Sequence, residues 1–171
     1  MRKLNVKKGF SLIELLVVIA IIGVLSAVGI TAYTGYTASA KEQAARTQFS
    51  QTVSMVNAEM AKCALGSGDY VWGSGTPFVK DTCAGGIDAD TDTNIAAYLT
   101  SSTNGIGMKN PYAQDETAAT FAKAVAGAAS NATNDPDGDG RITIFCAAGG
   151  ACTIKQDVGD TVLTQTIESA S

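Results

Sequence analysis

The sequence contains no histidine. That removes the commonest general base and the commonest metal-binding side chain. It also has no Cys-x-x-Cys pair, so zinc, haem attachment and thioredoxin-like redox chemistry lack their ligands. Neither a Gly-x-Ser-x-Gly nucleophile elbow nor a glycine-rich phosphate loop occurs. Together these absences argue against an enzyme. Basic residues are also scarce, 12 Lys and Arg against 16 Asp and Glu, for a net charge of −4 at pH 7. An acidic exterior argues against general binding of nucleic acid, whose phosphates call for Lys and Arg. It leaves room for a small local basic patch.

Charge of either sign is missing between Glu14 and Lys41. Ahead of that gap stand a basic leader, Lys7-Lys8, then Gly9 and Phe10-Ser11-Leu12-Ile13-Glu14-Leu15-Leu16, and an apolar run continues to Ile30. The uncharged stretch exceeds the roughly 20 residues that cross a bilayer as a helix. A lone acid at its start is costly enough to suggest a function and a partner. The leader is positive, as the cytoplasmic flank of a membrane segment should be. An ordinary secretory signal fits poorly, because the apolar run is too long and the small residue precedes it.

The run Gly9-Phe10-Ser11-Leu12-Ile13-Glu14-Leu15-Leu16-Val17-Val18-Ile19-Ala20-Ile21-Ile22-Gly23-Val24-Leu25 resembles the N-terminal signature of type IV prepilins. The match is dense from Gly9 to Ala27; beyond the first helix the resemblance is architectural. It implies that a membrane prepilin peptidase cuts between Gly9 and Phe10, that the new amino terminus of Phe10 is methylated, and that mature subunits polymerise. It also implies that Glu14 pairs with the amino terminus of a neighbouring subunit and sets axial register.

Elementary electrostatics supports that role. Before cleavage the Phe10 nitrogen is an uncharged amide; afterwards it is an amine that carries a positive charge. A carboxylate in apolar surroundings is costly unless paired, and the cut creates such a partner. The plainer alternative is that Glu14 complements the positive end of the helix dipole. Removing residues 1–9 takes away Arg2, Lys3, Lys7 and Lys8, leaving 8 basic against 16 acidic residues and a balance of −8.

From Phe10 to about Ala64 the pattern predicts one helix, ended by Gly66-Ser67-Gly68 and about 80 Å long at 1.5 Å per residue. Its first half, residues 10–35, is apolar all round, as a membrane span or filament core should be. Ala20, Gly23 and Ala27 form a small-residue face on which helices can pack closely. The second half, residues 36–65, is amphipathic: Ala45, Phe49, Val53, Val56, Met60 and Ala64 make a stripe of helical period. Many type IV pilins carry a proline near the junction, where this chain reads Val28-Gly29-Ile30-Thr31-Ala32. Gly29 and Gly35 weaken the helix there by only ~1 kcal/mol each.

Residues 66–171 form the expected head. Residues 66–100 read as a long surface loop anchored by Tyr70, Val71, Trp72, Phe78 and Ile95, with a short helical turn from Ile95 to Leu99. Residues 116–129 suit either a short helix or an edge strand. Residues 141–168 alternate as strands broken by glycine turns, an antiparallel meander. Asn110-Pro111-Tyr112 resembles a turn of pilin and pseudopilin heads. The fold class is therefore α+β and type IV pilin-like, a long N-terminal helix packed on a C-terminal antiparallel sheet.

Four cysteines in an exported chain suggest two disulfides. Three pairings are open to them; the favoured set is Cys63–Cys83, closing the long loop, and Cys146–Cys152, bracing a hairpin. Asp135, Asp137 and Asp139, followed by Gly140 and the Arg141 carbonyl, match the opening of a calcium loop. The closing glutamate is missing, since Cys146 stands there, and a solvated Asp/Gly turn is the competing reading. Asp88, Asp90, Asp92 and Asn94 repeat the alternation more weakly. Asn131-Ala132-Thr133 fits the permissive N-glycosylation pattern. No cofactor is required.

These features lead to a structural subunit of a type IV pilus, serving adhesion, motility or DNA uptake. Its expected partners are further copies in a helical filament, a prepilin peptidase and the inner-membrane assembly machinery. It would cross the inner membrane once before assembly and become extracellular afterwards. The same N-terminus serves pseudopilins of type II secretion, the first rival. A DNA-uptake receptor pilin is a second, and a simple membrane-anchored periplasmic domain a third.

Overall fold

The computed structural model describes residues 9–66, 68–72, 81–82, 91–103, 105–115, 122–124, 140–147 and 150–168. The first helix, α1, runs Leu12–Ala64. It opens with the Leu15 amide donating to the Ser11 carbonyl at 3.3 Å. It closes where Gly66, at φ 66, donates to the Cys63 carbonyl at 2.9 Å. Only glycine enters that left-handed conformation without strain, so Gly66 is the stop signal.

The chain divides into two compact units, Met1–Ala40 and Lys41–Ser171. In the first, the described residues are the N-terminal part of α1, and its large apolar side chains are exposed, from Leu12 at 82% to Ile30 at 64%. A surface this apolar has no counterpart in an ordinary soluble helix. The helix is long and apolar enough to cross a membrane.

The second unit is α+β. Its part of α1 buries Ala45, Thr52, Val56 and Met60, with Phe49 and Val53 half-buried beside them. The stripe differs in two places from the one the apolar residues draw. Thr52 is fully buried, and Ala64 is exposed. Thr52 can face the core because its hydroxyl donates to the Gln48 carbonyl at 2.9 Å, satisfying the polar group within the helix.

After α1 come β1 (Asp69–Tyr70), β2 (Asp81–Thr82), α2 (Thr91–Thr100), β3 (Ala122–Ala124), β4 (Ile142–Cys146), β5 (Ala151–Val158) and β6 (Thr161–Glu168). β1 and β2 form a small antiparallel pair. The main sheet has the order β3-β4-β5-β6. Its C-terminal three strands are antiparallel neighbours, the expected meander, whereas β3 adds in parallel to β4.

Two expectations are refined. The region 66–100 is not simply loop: α2 is a ten-residue helix that places Ile95, Ala96 and Leu99 in the core. The stretch 116–129 contributes a strand, β3. Along β5 every second residue is buried, Cys152, Ile154, Gln156 and Val158. Of these, Cys152 and Ile154 join Ile142, Ile144 and Cys146 of β4, Val56 and Met60 of α1, Tyr70 and Trp72, and Ile95, Ala96 and Leu99 of α2 in one cluster. Tyr70 and Trp72 stack at 5.1 Å between ring centroids. A long N-terminal helix with a C-terminal antiparallel sheet is the pilin-like α+β arrangement.

Candidate functional site

The N-terminal site is built by the first turn of α1. Gly9 and Phe10 precede the helix, and Phe10 is 91% exposed. Ser11 is the N-cap. Its amide donates to Glu14 Oε2 at 2.8 Å, and the Glu14 amide donates to Ser11 Oγ at 3.2 Å. This reciprocal pair is a capping box, in which Ser-x-x-Glu satisfies two amides that the helix start would leave unpaired. The signal lies in Ser11-Leu12-Ile13-Glu14 itself, yet reading Glu14 only for its charge overlooks it. The box also places the Glu14 carboxylate one residue from the Phe10 nitrogen, where cleavage would create a new amine.

Further along the same unit, Ala20, Gly23 and Ala27 are exposed on α1. A Cβ built on Gly23 would meet nothing within 4 Å. Thr31, Thr34 and Thr37 follow, each hydroxyl donating to the carbonyl three residues back at 3.0, 3.0 and 2.9 Å.

In the second unit, Cys146 and Cys152 are joined by a disulfide. They face each other directly across β4 and β5. The adjacent Ala147 amide bonds the Ala151 carbonyl at 3.0 Å, which makes the cysteine pair the position of closer side-chain approach. Cys63 is also disulfide-bonded; its expected partner Cys83 lies outside the described residues.

The expected calcium ligands Asp135, Asp137 and Asp139 lie outside the described residues, as do Asn131 and Thr133 of the glycosylation pattern, and Asp88 and Asp90. What is described is the end of that loop. Gly140 sits at φ 79; its amide donates to the Asp157 carbonyl at 2.8 Å, and the Asp157 amide donates to the Arg141 carbonyl at 3.1 Å. Two residues opposite one, with glycine left-handed at the first, is a G1 bulge. One lone pair of the Arg141 carbonyl is therefore engaged by the sheet. Gln156, fully buried, donates from Nε2 to the Gly140 carbonyl at 3.0 Å.

Asn110 closes the same corner. Its Oδ1 accepts the Tyr112 amide at 2.9 Å, and its carbonyl accepts Gln114 Nε2 at 2.9 Å. A Cβ on Gly140 would overlap Asn110 Oδ1 and stand 2.7 Å from Tyr112 Cδ2. The Asn110-Pro111-Tyr112 turn is thus seated directly on Gly140.

Two tertiary contacts escape the sequence pattern. Glu59 Oε2 accepts the Val71 amide at 2.9 Å and the Lys62 ammonium at 2.6 Å. Gln48 Nε2 donates to the Lys109 carbonyl at 2.9 Å. Neither residue belongs to the apolar stripe of α1. Among the described residues, no three His, Cys, Asp or Glu side chains cluster as a metal site would require.

Compared with known proteins, the chain matches one family model, described as the prokaryotic N-terminal methylation motif, over residues 4–30. No curated protein and no solved structure matches it significantly. The matched span holds the Gly9-Phe10 junction, the Ser11–Glu14 capping box and the small-residue strip together. Residues 4–30 carry the prokaryotic N-terminal methylation motif, the prepilin-type signature.

Proposed function

We propose that this chain is a structural, non-catalytic subunit of a type IV pilus, cut between Gly9 and Phe10, methylated on Phe10 and polymerised through α1. The carrying observation is one stretch. It joins the methylation motif over residues 4–30, Glu14 held at the helix start, and no further charge before Lys41. Cleavage leaves the apolar helix on the product, so the same surface that holds the precursor in the inner membrane becomes the contact between copies in the filament. Glu14 then exchanges a backbone donor for a charged amine on a neighbouring copy. The absence of histidine supports a non-catalytic role, and the acidic balance supports a surface without nucleic acid as partner. No cofactor is needed, and calcium at residues 135–141 is an optional ligand, tested by comparing thermal unfolding with the ion and with chelator.

The deciding experiment is N-terminal sequencing and intact mass of the protein from sheared surface material and, separately, from membranes. A chain beginning at methylated Phe10 in the sheared fraction is the expected result. An unprocessed chain retaining residues 1–9 in a host with active peptidase overturns the reading. Processed protein confined to membranes, with blocked enzyme export on deletion, assigns the chain to a secretion pseudopilus instead.

A further inference from the structure

We infer that Tyr33 and Tyr36 are an interfacial anchor that fixes the depth of α1 in the bilayer before assembly. Their partner is the glycerol and headgroup layer of the leaflet facing away from the cytoplasm. This rests on the membrane-borne precursor proposed above.

The first argument is length. From Leu12 to Ile30 the helix rises about 28 Å, close to the ~30 Å hydrocarbon thickness of a bilayer. Tyr33 and Tyr36 follow directly, and no other aromatic residue stands between Phe10 and Phe49. Lys41, the first charge, comes about 7 Å beyond Tyr36, which carries it through a headgroup layer of roughly 5–7 Å. The tyrosines therefore stand where hydrocarbon gives way to headgroups.

The second argument is chemistry. Three residues apart on α1, the two rings share a face and are 69% and 75% exposed. Tyrosine combines an apolar ring with a polar tip, and for that reason concentrates at membrane interfaces. The surrounding helix suits the same layer. Thr31, Thr34 and Thr37 donate their hydroxyls to their own helix's carbonyls, so none needs water as a partner for its proton. The three threonines can lie at the edge of the hydrocarbon with their hydroxyl protons paired, leaving the Tyr33 and Tyr36 hydroxyls as the donors this segment offers to headgroups.

The third argument is what cleavage removes. In the precursor, Lys7 and Lys8 bracket the apolar run on the cytoplasmic side, and the tyrosines bracket it on the other. Cutting after Gly9 deletes the lysines, leaving the tyrosine pair as the remaining side-chain anchor. Depth then depends on it more in the processed subunit than in the precursor.

The test uses the full chain and its processed form in vesicles of phosphatidylethanolamine and phosphatidylglycerol. Because Cys63, Cys146 and Cys152, the cysteines among the described residues, are all disulfide-bonded, one introduced cysteine can be labelled with a nitroxide. Labels go at Val18→Cys, Val28→Cys, Ala32→Cys or Ala38→Cys, and depth is read from oxygen against water-soluble nickel accessibility. The expected profile places positions 18 and 28 in hydrocarbon and position 38 in water, with the crossover at the tyrosines. Tyr33→Ala with Tyr36→Ala should move the crossover by about one turn, ~5 Å, more in the processed chain, and Tyr→Trp at both sites should restore it. An unchanged crossover in the double alanine protein overturns the inference, including where that protein also fails to form filaments, because the rings then serve packing between copies. Nickel access at position 18 sinks the membrane-spanning reading instead, so the two failures are distinguishable.

Discussion

The Ser11 amide and the Glu14 carboxylate are 2.8 Å apart, with the reciprocal bond from the Glu14 amide to Ser11 Oγ at 3.2 Å. Glu14 therefore has a partner inside its own chain before any neighbour arrives. A carboxylate entering an apolar layer alone would be costly; one already accepting a backbone amide is partly compensated. Under the assembly proposed above, the capping box and the pair with a neighbouring amine would be successive states of the same side chain.

The two roles separate by substitution. Glu14→Gln keeps an oxygen to accept the Ser11 amide but removes the charge. It should give a processed, membrane-held subunit that does not polymerise, seen as mature mass in membranes and none in sheared material. Normal filaments from Glu14→Gln would reduce Glu14 to a helix cap. Ser11→Ala keeps the charge and loses one arm of the box. It should slow assembly without abolishing it, and Ser11→Thr should restore the rate.

The contrast between the two ends of the chain shows what a sequence encodes locally. The N-terminal stretch is legible because its information is contiguous: charges bound the apolar run, and Gly66 stops the helix by its own left-handed backbone. The alternation of β5 is equally local. What was not legible depends on partners distant in sequence. Thr91 to Asn94 read as loop residues, and α2 becomes a helix because Ile95 and Leu99 find a sheet to bury against. β3 pairs in parallel with β4 across an intervening segment that carries no pairing code. Thr52 reads as polar and is buried because its hydroxyl is satisfied one turn back. In the candidate site, Gly9, Phe10 and Glu14 stand out as a contiguous pattern, whereas the capping box between Ser11 and Glu14 is overlooked when Glu14 is read only for its charge.

Glu59 provides a test of the tertiary contacts. Its carboxylate side chain is 14% exposed and holds both the Val71 amide and Lys62. Glu59→Ala leaves the Val71 amide unpaired and should cost about 1–3 kcal/mol. Lys62→Ala should cost less than about 1 kcal/mol, since the Lys62 side chain is 32% exposed and the pair is screened. Urea unfolding of the full chain in detergent measures both. Equal losses would mean that the ion pair, not the amide, is what Glu59 supplies.

The disulfide between Cys146 and Cys152 closes a short loop, so chain entropy limits its contribution to about 2 kcal/mol. Replacing both cysteines with alanine should lower stability by that amount plus the lost packing, because both are buried in the core cluster. The sheet register should survive, being set by the alternation of β5 and by the turn at Ala147 and Gly150. Amide exchange across β4 and β5 checks this: protection retained with lower global stability is expected. Loss of protection confined to this hairpin would show that the disulfide, not the pattern, holds the register.

Gly140 is where backbone conformation and packing coincide. At φ 79 any side chain is strained, and a Cβ would also overlap Asn110 Oδ1 and crowd Tyr112. Gly140→Ala therefore carries two penalties, the left-handed strain of roughly 1 kcal/mol or more and displacement of the Asn110 turn. Asn110→Ala relieves the overlap but forfeits the bond to the Tyr112 amide. If the overlap dominates, adding Asn110→Ala to Gly140→Ala should recover part of the stability, a coupling measurable by a double-mutant cycle in urea. Strict additivity would instead assign the cost to the G1 bulge and to the Tyr112 contact, which Asn110→Ala leaves in place. The size of that coupling measures how much of the Gly140→Ala cost comes from the Asn110 side chain rather than from the bulge and Tyr112.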